Sequence, residues 1–272
     1  MKHIKQIILF AILVGTIGAY AQEDTPEDLF IVPLSDSGSP GKLIVGLVTG
    51  SITVTGYEGK EVAVGAIFDG DRNNYIDNKE KKGLKRIDGT STAVAAEEKN
   101  NVVRVTSKNV NKQIHLVIKV PQNFDLKLST VNGGDIKAKG VNGEFEISNV
   151  NGGIALTDVS GSASVDTVNG DVIVDFKSVT KDAPMAFSSL NGDLEIAFPS
   201  TLKANVKFKS DMGDIYSDFD MEMDKRKAKV ETNNSSNTYK VKIEQWLYGK
   251  INGGGPEMLF KTFNGDILIK SK

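Results

Sequence analysis

The chain has 272 residues, 39% hydrophobic and 25% charged, and its 33 Lys+Arg against 35 Asp+Glu give a formal charge of −2. This is the composition of a folded protein with room for a sizeable core, without the basic excess of a nucleic-acid binder. Cysteine is absent, which excludes disulfides, thiol catalysis, iron–sulfur clusters and thiolate zinc sites.

In chain order, residues 1–21 read as a secretory signal peptide. Lys2, His3 and Lys5 make a positive n-region, residues 7–17 an apolar run, and Ala19-Tyr20-Ala21 a small-x-small cleavage site. The run is shorter than the roughly 20 apolar residues needed to span a bilayer. The expected product is exported to the periplasm or the outer surface, with no transmembrane segment in the mature chain. Its one remaining histidine, His115, closes two-imidazole zinc chemistry. Residues 22–41, with several acids and three of the seven prolines, read as a leader running into an extended segment.

From residue 42 onward the pattern is β. Residues 43–55, 61–68, 101–106 and 113–120 alternate or run apolar, which is the strand signal. Residues 69–100 are polar and charged and read as an insertion loop. Phe124, Leu126 and Leu128 alternate with Asp125, Lys127 and Ser129 directly into a series of corners.

The corners are Val131-Asn132-Gly133, Val141-Asn142-Gly143, Val150-Asn151-Gly152, Val168-Asn169-Gly170, Leu190-Asn191-Gly192, Ile251-Asn252-Gly253 and Phe263-Asn264-Gly265. Val159-Ser160-Gly161 and Met212-Gly213 are degenerate copies. From Gly133 the glycine spacings are 10, 9, 9 and 9, then 22 and 21 to Gly192 and Gly213. Asn-Gly supplies a positive-φ turn, and a short alternating run follows each one. Two such units make a coil. Hairpins would impose no coil-length repeat, so the pattern predicts an all-β, single-stranded right-handed β-helix-like solenoid with short repeating strands and Asn-Gly corners. It spans 42–272, with 241–272 as a C-terminal cap and a charged hairpin over 220–240. The expected interior ladders hold Ile136, Phe145, Ile147, Ile154, Leu156, Val165, Val172, Val174, Leu194, Ile196 and Phe198.

These corners, the run Val48-Thr49-Gly50-Ser51-Ile52-Thr53-Val54 and the ending Ile251-Asn252-Gly253-Gly254-Gly255-Pro256-Glu257 resemble the DUF4097 family over about residues 40–272. The resemblance is to secreted Bacteroidetes-type members, which carry an adhesin label. It implies a β-helix-like repeat fold and a cell-envelope or surface setting. It brings no catalytic residues.

The sharpest chemical candidate is residues 69–80. Asp69, Asp71, Asn73, Asp77 and Glu80 stand at positions 1, 3, 5, 9 and 12, the oxygen-ligand spacing of an EF-hand calcium loop. Asn74 replaces the turn glycine and a strand rather than a helix precedes it, so a solvated charged loop is the competing reading. Asp171, Asp193 and Asp266 directly follow corner glycines, and Asp135 follows one residue later. Stacked calcium sites are one reading of these acids and satisfaction of turn amides the simpler one. Gly253-Gly254-Gly255-Pro256 lacks the Lys-Ser/Thr and helix of a phosphate loop and reads as a tight connection. His115 lies on the strand face opposite Ile114, Leu116 and Ile118, with no G-x-S-x-G nucleophile motif in company. Outward acids such as Asp125, Glu144, Glu146, Asp158, Asp166 and Glu195 alternate with Lys127, Lys137 and Lys207, as on any solvated strand face. Trp246 and Tyr248 suit either sugar stacking or covering the open end of a solenoid.

The function expected is a non-enzymatic exported cell-envelope or surface repeat protein, an adhesin-like binding module. It has no catalytic residues, and calcium at the 69–80 loop is the one cofactor in view. The partner is an envelope or surface protein or a glycan, not nucleic acid. The alternatives are a periplasmic envelope sensor or scaffold, and a carbohydrate-active enzyme with paired carboxylates on a β-helix.

Overall fold

The computed structural model describes residues 29–68, 94–107, 113–224, 229–235, 238–244 and 246–272. The segment read as a signal peptide and the Asp69, Asp71, Asn73, Asp77, Glu80 loop lie outside the described residues. Every described element is a strand. The first are β1 (Leu29–Pro33), β2 (Gly41–Thr49), β3 (Ile52–Tyr57), β4 (Glu61–Phe68), β5 (Val94–Lys99), β6 (Val102–Ser107) and β7 (Ile114–Pro121). Then come β8 (Phe124–Asn132), β9 (Ile136–Lys139), β10 (Asn142–Asn151), β11 (Ile154–Asn169), β12 (Val172–Val179), β13 (Met185–Asn191) and β14 (Leu194–Phe198). The last are β15 (Ala204–Met212), β16 (Ile215–Ser217), β17 (Met221–Asp224), β18 (Lys229–Ser235), β19 (Thr238–Glu244), β20 (Leu247–Ile251), β21 (Glu257–Asn264) and β22 (Ile267–Ser271). Residues 94–99, inside the stretch read as a loop, are thus a strand, and the charged hairpin is β18–β19.

The strands stack as coils. Each coil runs along a first sheet, turns a corner and returns along a second. In the first sheet the parallel order is β6, β2, β8, β10, the second half of β11, β13, β21, β15. In the second it is β7, β3, β9, the first half of β11, β12, β14, β22, β16. Alternation turns one face of each sheet inward. Equivalent residues therefore form columns, such as Val45, Leu128, Ile147, Val165, Phe187, Phe260 and Phe208 across the first sheet. Ile52, Ile136, Ile154, Val172, Leu194 and Ile267 answer them across the second. All of these, and every residue expected in the ladders, are at most 2% exposed. In the C-terminal half phenylalanines fill the space between sheets. Phe176 stacks on Phe198 at 5.2 Å and Phe187 on Phe260 at 5.4 Å, and edge-to-face contacts join the two rows.

Spatial order departs from sequence order at both ends. The first coil, β2–β3, lies between β6–β7 and β8–β9. The last coil, β21–β22, lies between β13–β14 and β15–β16. The segment expected as a cap therefore supplies an interior coil. The chain reaches it by crossing over β15: β20 is antiparallel to β15 on one side, and β21 is parallel to it on the other. The crossing uses Asn252, Gly253 and Gly254 at φ 48°, 82° and 87°. A Cβ on Gly255 would stand 2.3 Å from the Lys203 carbonyl oxygen. Gly253 and Gly254 serve the turn and Gly255 the close approach. Antiparallel strands cover much of the two ends: β5 on β6, β4 and β1 beyond β7, and β20 and β17 beyond β15.

Candidate binding face

The corners joining the first sheet to the second are held by three polar columns. Just before the corner, an inward side chain donates to the corner carbonyl of the neighbouring coil. Thr130 donates to Gly50, Thr167 to Gly152, Ser189 to Gly170, Thr262 to Gly192 and Ser210 to Gly265, at 2.9–3.1 Å. Asn149 holds this place in β10 and donates through Nδ2 to Gly134 at 3.0 Å, leaving its buried Oδ1 without a partner. At the corner itself, asparagines pair side chain to side chain. Asn151 donates to Asn132, Asn169 to Asn151 and Asn191 to Asn169, at 2.8–2.9 Å. Past the corner, aspartates accept backbone amides: Asp135 from Gly153, Asp171 from Asp193, Asp193 from Asp266 and Asp266 from Asp214, at 2.8–2.9 Å.

These columns assign the corner residues. The aspartates satisfy turn amides. The asparagines are there for their side-chain amides, because the positive φ falls on the glycines. Gly192 sits at φ 152°, and a Cβ on it would meet the Gly170 carbonyl oxygen at 2.0 Å. The Val-Asn-Gly at 141–143 does something else. Asn142 and Gly143 open β10 on its return to the first sheet, beside Ser160 and Gly161.

One residue before each corner asparagine, and before Thr49 in the first coil, an apolar column runs on the outer surface. Val48, Val131, Val150, Val168, Leu190 and Phe263 are neighbours on six successive strands, each 36–48% exposed. At roughly 4.8 Å per strand this stripe is about 24 Å long. Sequence reasoning missed it, although its signal is plain: an aliphatic or aromatic residue at the outward parity just before the corner on these six strands. Next to it lies a column of small polar residues, Ser129, Ser148, Asp166 and Ser188. Partial burial holds the Asp166 carboxyl above the usual carboxylate range.

The other singled-out residues lie apart from the stripe. His115 Nδ1 is 2.7 Å from Ser51 Oγ at the corner between β2 and β3. Glu146 pairs with Lys127 and Glu195 with Lys270, each at 2.5 Å, and the Asp125 carboxylate accepts the Glu144 amide. Trp246 and Tyr248 lie at the C-terminal end of the stack, with the Lys207 ammonium 4.2 Å and 5.9 Å from their rings. A depression of about 560 Å³ opens there, lined among others by Asn205, Lys207, Glu222, Tyr248 and Lys250. Among the described residues no three His, Asp or Glu side chains gather to hold a metal ion, and no helix is long and apolar enough to cross a membrane.

Residues 131–245 match the family model Toastrack DUF4097, the family that the corners resemble. Among solved structures, the chain is similar to a "putative cell adhesion protein" from Clostridium sporogenes ATCC 15579. The TM-score is 0.46 at 16% identity, over 90% of this chain and 99% of that one. It is also similar to a "putative adhesin" from Bacteroides fragilis NCTC 9343, with a TM-score of 0.29 at 12% identity, over 90% and 98%. No curated protein matches the sequence.

Proposed function

We propose that this chain is a non-enzymatic, exported cell-envelope or surface protein that works as an adhesin-like binding module. Its regular outer stripe meets an envelope protein or a glycan. The observation that carries the reading is the column Val48, Val131, Val150, Val168, Leu190 and Phe263. Isolated exposed apolar residues are ordinary on a soluble surface, but a continuous row of them is characteristic of an interaction site. Here the row repeats at the strand spacing beside the paired Asn132, Asn151, Asn169 and Asn191 side chains, so these coils each set an apolar contact next to a polar one. Affinity would build from many such contacts, and from clustering of several molecules.

Right-handed winding belongs to the same proposal. Strands such as β8 and β10 are parallel neighbours joined by a crossover through the second sheet, and about 98% of such connections are right-handed.

A pull-down from envelope fractions and a glycan array, each run with calcium and with chelator, test the reading. Wild type should retain a specific partner that Val150→Asp with Leu190→Asp loses. Identical capture by wild type and variant would overturn it. Loss with chelator alone would support calcium at Asp69, Asp71, Asn73, Asp77 and Glu80.

A further inference from the structure

We propose that the edge formed by the end of β15, the corner at Gly213 and β16 is a strand-addition site for an extended cationic segment of a partner protein. Three observations meet there.

The first is an unpaired edge. β20 covers β15 only from Ala204 to Phe208. Beyond Phe208 the chain continues through Met212 and Gly213 into β16, which pairs with β22 on one side. Among the described residues no strand pairs with its other side. This edge is a corner, not a straight strand, and at every interior coil of the stack such a corner carries another coil.

The second is that the recurring acceptors are in place. Asp171, Asp193 and Asp266 each accept the amide of the next coil's corner. Asp214 is last in that column; it gives its own amide to Asp266, and its Oδ2 takes the Tyr216 hydroxyl at 3.3 Å. Likewise the carbonyls of Gly170, Gly192 and Gly265 each accept a Ser or Thr hydroxyl from the next coil, and Gly213 occupies the equivalent position on the outermost coil. An added strand would find the hydrogen-bonding pattern that every inner coil finds.

The third is charge. Residues 210–224 contain six acids, Asp211, Asp214, Asp218, Asp220, Glu222 and Asp224, and no base, while Lys209 just before them stands 3.6 Å from Asp211. Met212 and Tyr216 stand 65% and 52% exposed among them. The negative field is felt locally: Asp214, then burial, then Asp266 raise the Tyr216 phenol above its ordinary value. A second copy presenting the same edge would set Asp211 and Asp214 against their own copies, which is the device that keeps natural edges from pairing with themselves. A strand bearing Lys or Arg at alternate positions, with apolar residues between them to meet Met212 and Tyr216, has the complementary chemistry. This surface begins where the outer stripe ends, since Asp211 of β15 lies beside Phe263 of β21.

The probe is a fluorescent peptide of about ten residues alternating Lys with Val, tested by anisotropy and by amide chemical shifts. A second peptide of the same charge is N-methylated at alternate backbone nitrogens, so that it keeps its cations and loses one edge of hydrogen-bond donors. The wild-type protein should bind the first peptide at least about tenfold more tightly than the second. The shifts should gather on residues 209–217. Asp211→Asn with Asp214→Asn should weaken binding while leaving the thermal unfolding curve in place. No binding at low salt, equal binding of both peptides, or shifts scattered over every exposed acid would overturn the proposal.

Discussion

The rings of Phe208 and Phe260 stack at 5.2 Å, although Phe260 belongs to the last coil of the chain and Phe208 to the coil before it. Phe260 also stacks on Phe187 at 5.4 Å, so the final coil fills a slot between two earlier ones. Losing a terminal coil of a simple solenoid would only shorten it. Here the loss would split the stack and expose β13 and β15 to solvent along their length. Phe260→Ala is expected to cost about 3–5 kcal/mol in urea unfolding. A chain ending at residue 256 should not unfold cooperatively, and a sharp transition near the wild-type midpoint would refute the interleaving.

Asn149 offers the opposite change. It stands in a column with Leu47 and the hydroxyl residues Thr130, Thr167, Ser189, Thr262 and Ser210, and its Oδ1 is buried with no partner. A buried unsatisfied acceptor costs about 1–3 kcal/mol. Threonine keeps a donor for the Gly134 carbonyl and removes the orphan oxygen. Asn149→Thr should therefore raise the unfolding midpoint, by about 1 kcal/mol in stability. A fall would mean that the amide makes contacts a hydroxyl cannot replace.

Corners were legible in the sequence because the same residues recur at the same spacing, and a strand period of two fixes which side chains go inward. The order of coils was not. Val206 and Phe208 of β15 and Met258 and Phe260 of β21 are interchangeable as inward pairs, so a pattern can say that each is a coil without saying which coil it neighbours. The clue was indirect: Asn252 and three glycines are more turn than a simple corner needs. The asparagines were read for their backbone freedom, yet Asn132, Asn151, Asn169 and Asn191 act through side chains. That pairing depends on strands adjacent in space, which spacing alone does not reveal. The outer stripe was visible as residues but masked by expectation, since Val131 or Val168 beside a turn looks like core.

Carboxylates at two places should shift stability with pH in opposite senses. The Ser35 hydroxyl, then the Ser35 and Asn101 amides, hold Glu98 below the usual carboxylate range, and Ser39 and Gly38 do the same for Asp36. A depressed folded value favours the folded state above the unfolded value and is lost as pH falls through it. The turn over residues 35–39 should then lose hydrogen-exchange protection on acidification, and Glu98→Gln should reproduce that loss at neutral pH. Asp166 is raised by burial, so the folded state holds its proton more tightly, and its contribution worsens as pH rises through the carboxylate range. Asp166→Asn should stabilise slightly at neutral pH and have no effect in acid. Parallel responses from the two sites would contradict the assignment.

Ile154 and Ile173 test the inside and outside of the second sheet. Ile154 is 1% exposed and stacks between Ile136 of β9 and Val172 of β12. Ile173, one residue along from Val172, points outward and is 48% exposed. Aspartate at 154 would put a carboxylate into a column with no donor to receive it, and burying an unpaired charge costs several kcal/mol even after relaxation. Ile154→Asp should abolish the cooperative transition seen by circular dichroism. Ile173→Asp faces water and should stay within about 0.5 kcal/mol of wild type. If both variants unfold alike, the two sheets do not present the faces described, and the outer stripe, which rests on the same alternation in the first sheet, falls with them.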